Sequence, residues 1–152
     1  KGRKQTLDIL QKKLDPNTPK VWFHAASLGE FEQGLPVMEA WKQKHPEHQL
    51  VVTFFSPSGY EIRKKHPIAS VVVYLPWDVP NQIKAFLNLV QPTHAFLIKY
   101  EFWPNLLYVL QQKKIPTFLI SGIFRPNQIF FKPHEFWMRK YLGGFTHFFV
   151  QN

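Results

Sequence analysis

Val21-Trp22-Phe23-His24-Ala25-Ala26-Ser27-Leu28-Gly29-Glu30-Phe31-Glu32 decides the fold of this chain. A short apolar run, Val21–Ala25, gives way to small residues and then to an amphipathic stretch. Continuous apolar runs of this kind suit strands buried on both faces of a parallel sheet. In the stretch that follows, Phe31–Lys44, the residues Leu35, Met38 and either Trp41 or Ala40 fall on one face. That is the i, i+3, i+4 spacing of a helix.

The same change of period recurs along the chain. Further apolar runs are Leu50–Phe55, Ser70–Leu75, Ala95–Tyr100, Thr117–Ser121 and His147–Gln151. Between them, Asn81–Val90 places Ile83, Phe86, Leu87 and Val90 on one helical face, and Trp103–Lys113 does so with Leu106, Leu107 and Leu110. Ser56 before Pro57 has the form of an N-cap followed by proline at the first helical position, and Pro104 stands early in its own helix. The alternation predicts an α/β, Rossmann-like domain: a parallel sheet in the order 3-2-1-4-5-6, with helices on both faces and right-handed crossovers. Ligands of such sheets bind outside the carboxyl ends of the strands. The loops to watch are therefore 26–30, 56–60, 76–80, 101–104 and 122–126.

Residues 1–19 are polar and basic and end in Asp15-Pro16-Asn17-Thr18-Pro19. They read as a short helix or arm followed by a linker, which leaves 20–152 as the Rossmann-like domain. A length of 152 residues suits one domain with a sizeable core. The chain starts at Lys1 rather than at methionine and stops shortly after Phe148-Phe149-Val150, so it reads as a piece of a longer protein. No apolar stretch approaches the roughly 18–20 residues that span a bilayer, and no signal peptide is visible. An anchor ahead of Lys1 stays open.

Nineteen Lys and Arg against ten Asp and Glu give a formal charge of +9. Such an excess suits an anionic partner, whether phosphorylated lipid, acidic membrane or nucleic acid, and it also suits plain solubility. The basic residues are scattered in short clusters, Arg63-Lys64-Lys65 among them, and none forms a nucleic-acid tail. The absence of cysteine excludes disulfides, thiolate metal sites and a cysteine nucleophile.

The loop that opens the first helix carries the chemistry. Backbone N–H groups there can hold an anion or a sugar hydroxyl. Its sequence is neither the dinucleotide fingerprint nor a P-loop. Ser27-Leu28-Gly29-Glu30 fits the S-x-x-E capping box, in which the glutamate satisfies backbone donors. The competing reading makes Glu30 a carboxylate at the mouth of a sheet crevice, placed to accept a proton. His24, apolar-flanked within a strand, reads as a core or supporting histidine.

The stretch His24-Ala25-Ala26-Ser27-Leu28-Gly29-Glu30 resembles the signature of bacterial 3-deoxy-D-manno-octulosonic acid (Kdo) transferases. Also similar, and in the family's order, are Ser56-Pro57-Ser58-Gly59-Tyr60-Glu61, Tyr74-Leu75-Pro76-Trp77-Asp78-Val79-Pro80, Glu101-Phe102-Trp103-Pro104-Asn105-Leu106 and Lys114-Ile115-Pro116 leading to Ser121 and Arg125. The resemblance implies the N-terminal, acceptor-binding half of a GT-B glycosyltransferase. The donor-binding half would lie outside this chain, so this chain alone is expected to be inactive. The implied reaction moves Kdo from CMP-Kdo to a lipid A precursor, lipid IVA, in lipopolysaccharide core biosynthesis. It is inverting and needs neither metal nor cofactor. The implied setting is the cytoplasmic face of the inner membrane, peripheral or anchored, with an anionic membrane surface and no nucleic acid as partner.

Carried over residue by residue, the resemblance makes Glu30 the general base. Ser27, Gly29, Ser56, Ser58, Gly59 and Arg125 are the expected substrate contacts. Many relatives carry E-x-E ahead of Trp-Pro-Asn, whereas this chain reads Lys99-Tyr100-Glu101. Either Lys99 is an electrostatic partner for substrate anions, or that role is not essential. Glu101 matches the second acid, as a catalytic group or as a carboxylate orienting Lys99 or Arg125. The Pro-bounded segment 123–133 mixes bulky apolar residues with Arg125 and Lys132, as would suit a membrane surface or a second domain. A basic α/β module that binds an anionic lipid or polymer without chemistry is the alternative. A lipid glycosyltransferase for another sugar fits the Ser-Leu-Gly-Glu and Glu-Phe-Trp-Pro-Asn stretches less well.

Overall fold

The structure, a computed structural model, describes residues 2–99, 103–122, 143 and 145–150. A 3-10 turn over Gly2–Gln5 leads into α1 (Thr6–Lys13). Then follow β1 (Lys20–Ala25), α2 (Leu28–Lys44), β2 (Gln49–Phe54), α3 (Pro57–Arg63), β3 (Val71–Tyr74), α4 (Pro80–Val90), β4 (His94–Ile98), α5 (Pro104–Gln112), β5 (Thr117–Gly122) and β6 (His147–Val150). The strands form one sheet in the order β3-β2-β1-β4-β5-β6, and every pairing is parallel. This is the α/β Rossmann-like architecture expected from the alternation of periods.

Side chains leave the strands on alternate faces, and each face has its own core. Trp22, Val51, Val73, Ala95 and Leu97 pack on one side with Leu10 of α1, Ile83 and Phe86 of α4, and Leu106 and Leu110 of α5. Val21, Phe23, Leu50, Val52, Phe96 and Ile98 pack on the other with Phe31 and Met38 of α2. Phe23 stacks on Phe96, with ring centroids 4.7 Å apart. Fully burying one such side chain contributes about 1.5–3 kcal/mol, so these layers hold the sheet edges that carry the loops.

The element ends differ from the sequence reading in informative ways. Helix α2 starts at Leu28 rather than Phe31, because Ser27 in extended conformation caps it. Strand β4 stops at Ile98 rather than Tyr100, because Lys99 takes a left-handed φ of 61° and leaves the extended region. The buried stripe of α2 is Phe31, Gly34 and Met38, with Ala40 exposed. A Cβ on Gly34 would sit 2.2 Å from Ile98 Cδ1, so the glycine lets the helix approach β4. Residues 2–13 are helical, and α1 packs on the core through one face. Leu10 is fully buried, and Thr6 Oγ1 donates to Tyr74 O at 2.9 Å.

Candidate active site

At the carboxyl edge of β1 the chain turns through Ala26 and Ser27 into α2. Ser27 Oγ accepts from the Glu30 N–H at 3.4 Å, and Ser27 O accepts from the Phe31 N–H at 3.1 Å. Glu30 Oε2 accepts from the Ala26 N–H at 2.6 Å. A standard capping box would direct this carboxylate to the N-cap amide, here that of Ser27. Glu30 instead reaches one residue further back and closes the loop on the end of β1. The half-buried carboxylate is thus fixed at the positive end of a helix, a favourable place for negative charge.

The second loop meets the first. The Ser56 N–H donates to Ala26 O at 2.8 Å, which ties the end of β2 to the loop holding Glu30. Ser56 caps α3 by accepting from the Ser58 N–H at 3.3 Å, and the two hydroxyls lie 2.8 Å apart. Arg63 at the far end of α3 reaches Glu32 of α2 at 2.6 Å. The structure therefore brings Ser27, Gly29 and Glu30 together with Ser56 and Ser58. Gly59 enters differently. It is buried, and a Cβ there would lie 2.4 Å from Phe54 Cδ1 and 3.0 Å from the Leu28 amide nitrogen. Its role in the structure is to let α3 approach β2 and the start of α2.

Lys99 follows β4, the strand beside β1, and its N–H donates to Ile120 O at 2.8 Å. His24 of β1 is opposite Leu97, so the same register carried forward sets Lys99 level with Ala26. A left-handed lysine costs roughly 1–2 kcal/mol and belongs among the conformations that collect at functional edges. Glu101 and Arg125 lie outside the described residues, as do Lys132 and segment 123–133.

Beneath the loops lies a buried polar chain. Trp22 Nε1–H donates to Thr53 Oγ1 at 2.9 Å, and the same hydroxyl is 2.8 Å from His24 Nδ1. The simplest assignment has the Thr53 hydroxyl donating to Nδ1, which leaves the ring proton of His24 on Nε2. Above it, Trp103 meets His24 edge-on at 6.5 Å and Phe55 at 5.0 Å.

Two structural devices at this edge escaped the sequence reading. The first is Asp78, which caps α5 from a distance. Its carboxylate accepts from the Asn105 N–H at 3.1 Å and the Leu106 N–H at 2.9 Å, while Asn105 Nδ2 donates to Asp78 O at 2.7 Å. Trp103, at the N-cap position, offers no side-chain cap of its own. The motif Trp77-Asp78 and the motif Trp103-Pro104-Asn105 are thus two halves of one latch. Asp78→Ala is expected to cost about 1–3 kcal/mol, through lost capping and unsatisfied amides, with Asp78→Asn intermediate. A thermal melt of Asp78→Ala indistinguishable from wild type would remove the latch from the argument.

The second device is Arg3. Its guanidinium carbon lies 4.3 Å from the ring centroids of both Phe55 and Trp77. It donates to Phe55 O at 2.7 Å and Leu75 O at 3.1 Å, closing the ends of β2 and β3. Trp77 stays half exposed beside a cleft of about 270 Å³ lined by Arg3, Lys4, Pro57 and Tyr74. The spacing of Leu7, Leu10 and Leu14 was the available signal that this segment docks as a helix. No helix among the described residues is long and apolar enough to cross a membrane.

Comparison with known proteins agrees with the motifs. A 3-deoxy-D-manno-octulosonic acid transferase of Haemophilus influenzae is 36% identical over 109 residues, covering 70% of this chain and 25% of that protein. The Aquifex aeolicus protein of the same name is 33% identical over 110 residues, covering 72% of this chain and 30% of its own length. A probable mitochondrial 3-deoxy-D-manno-octulosonic acid transferase of Arabidopsis thaliana is 29% identical over 103 residues, 67% of this chain and 23% of that protein. The matched region is therefore about a quarter to a third of each bacterial relative. A family model for 3-deoxy-D-manno-octulosonic-acid transferase (kdotransferase) matches residues 2–152, and the chain belongs to that family as its N-terminal glycosyltransferase domain.

Proposed function

We propose that this domain is the acceptor-binding half of an enzyme that transfers Kdo from CMP-Kdo to a lipid A precursor of the lipid IVA type. The observation that carries the proposal is the placement of Glu30. Its carboxylate is held by the Ala26 amide at the carboxyl edge of the sheet, between loops rich in small and hydroxyl residues. In this reading Glu30 takes the proton of the acceptor's glucosamine hydroxyl. The oxygen attacks the anomeric carbon of Kdo with inversion, and the bond to CMP breaks with its electron pair leaving on the phosphate. The Ala26 amide and the start of α2 orient the carboxylate. Ser27, Gly29, Ser56 and Ser58 offer contacts for the acceptor sugar, and Arg125 and Glu101 complete the set in this proposal. Lys99 adds positive charge for substrate anions at the same edge. The donor site belongs to a second half, and the reaction proceeds at the cytoplasmic face of the inner membrane.

The direct test is an assay of CMP-Kdo and a tetra-acylated lipid A precursor with a chain that joins this domain to its donor-binding half. Formation of a Kdo–lipid product supports the reading, and transfer of another sugar in preference defeats it. A second expectation follows from the charge of +9. Binding to anionic vesicles should weaken as salt rises, because exposed charges are screened over about 8–10 Å near physiological ionic strength. Reversing the charge of Arg125 and Lys132 together should weaken it further. Binding indifferent to both changes counts against an anionic membrane partner.

A further inference from the structure

At the opposite end of α2 a second constellation is built from residues that the glycosyl-transfer reading does not use. Helix α2 has 17 residues, so its ends lie about 25 Å apart at ~1.5 Å per residue. At its carboxyl end His45 caps the helix, and His45-Pro46-Glu47-His48 leads into β2. Glu47 Oε1 lies 3.6 Å from His45 Nδ1 and 3.4 Å from His48 Nε2. One ligand atom from each of the three residues falls within 4.8 Å of the others.

We infer that His45, Glu47 and His48 form a site for one divalent transition-metal ion of the zinc type. The carboxylate-to-imidazole separations decide the class. Zinc–nitrogen and zinc–oxygen bonds of about 2.0–2.2 Å require ligand atoms roughly 3.3–3.5 Å apart in a tetrahedron. The Glu47–His48 edge of 3.4 Å already matches, the Glu47–His45 edge of 3.6 Å is slightly long, and the two imidazoles offer ligand atoms within 4.8 Å of each other. Two imidazoles and one carboxylate form a borderline donor set that suits zinc better than calcium or magnesium. Solvent would fill the remaining position.

The loop is preorganised. The His45 N–H donates to Trp41 O at 2.7 Å, and the His48 N–H donates to His45 O at 3.1 Å. Lys42 Nζ ties down Pro46 O at 2.9 Å and His48 O at 2.7 Å. Trp41 lies against both rings, with centroids 4.7 Å from His45 and 5.7 Å from His48. A metal here would staple the end of α2 to the start of β2.

Two neighbours limit the affinity, and they make the site testable. Trp41 Nε1–H donates to His48 Nδ1 at 3.2 Å. Metal at Nε2 requires the ring proton on Nδ1, so binding must break that bond: the proton of the neutral ring moves from Nε2 to Nδ1. The Lys42 ammonium also opposes a cation. Isothermal titration of the purified protein with zinc chloride, in chelator-free buffer near neutral pH, should give one site. A cobalt(II) titration should show the d–d absorption of a low-coordinate site. His45→Ala and His48→Ala should each weaken zinc binding by at least about tenfold. Glu47→Gln, on an exposed side chain whose change leaves the fold intact, should do likewise. Trp41→Phe should bind more tightly, because the competing N–H is gone. Absence of binding at millimolar zinc overturns the inference. So does unchanged affinity in the His45→Ala/His48→Ala double variant, which would put the ion on other histidines. Equal or weaker binding by Trp41→Phe overturns coordination through His48 Nε2.

Discussion

Glu30→Gln is expected to fold, to bind acceptor and to lose at least roughly a hundredfold in turnover, since general-base catalysis is typically worth about 10²–10⁴ in rate. The substitution separates the loop contact that this side chain makes from the proton transfer proposed for it. The amide oxygen of glutamine still accepts from the Ala26 N–H, so the closure of the 26–30 loop survives. What is lost in stability is the charge component of that bond at the helix N-terminus, about 0.3–1 kcal/mol. What is lost in chemistry is the whole capacity to take a proton. Ser27→Ala is the matching control. It removes the acceptor of the Glu30 N–H, but that bond is 3.4 Å long, so the cost should fall at the low end of the capping range, about 0.5–1 kcal/mol. Its turnover should stay well above that of Glu30→Gln. Near-normal turnover of Glu30→Gln in the enzyme carrying both halves would reduce this carboxylate to a loop fastener. Glu101 would be the next acid to replace.

The sequence discloses elements whose cause is local, and it conceals contacts whose cause is remote. Strands β1, β2 and β4 were legible because both faces are buried, so past their polar first residues, Lys20, Gln49 and His94, every position is apolar or, like His24 and Thr53, paired inside the layer. Ser27 and Ser56 announced their helices because a cap acts within one turn. The capping pattern also led to Glu30, although not to Ala26 as its partner. Asp78 caps a helix that begins 26 residues later at Pro104, and no window of helical length joins them. Arg3 was hidden for the same reason, since its partners Phe55 and Leu75 are distant in sequence. Close packing at glycine is hidden as well: Gly59 is an expected substrate contact, and at Gly59, as at Gly34, the structure shows a helix-to-strand approach that no local pattern discloses.

The glycines supply the second large expected effect, with opposite signs at two positions of the same edge. Gly59→Ala is expected to destabilise the domain by about 1–3 kcal/mol, which for a chain of this size lowers Tm by roughly 3–10 °C. The balance runs between two terms. Alanine in a helix interior gains about 1 kcal/mol over glycine. Against it stands a methyl placed 2.4 and 2.5 Å from two ring carbons of the fully buried Phe54 and 3.0 Å from the Leu28 amide nitrogen. A ring wedged in a core cannot retreat by an ångström without displacing its neighbours, so the overpacking exceeds the helical gain. Gly29 sits in the first turn of α2, exposed, with nothing within 4 Å of a new Cβ and no positive φ. Gly29→Ala should therefore be neutral to stabilising, by up to about 1 kcal/mol. The pair also divides packing from recognition. If the Gly29 backbone meets the acceptor closely, Gly29→Ala will keep or raise Tm and still raise KM for the lipid. If both variants melt like wild type, the close approach of α3 to β2 is not what holds this edge together. The Ser56 N–H bond to Ala26 O would then be what sets the spacing of the Glu30 and Ser56 loops.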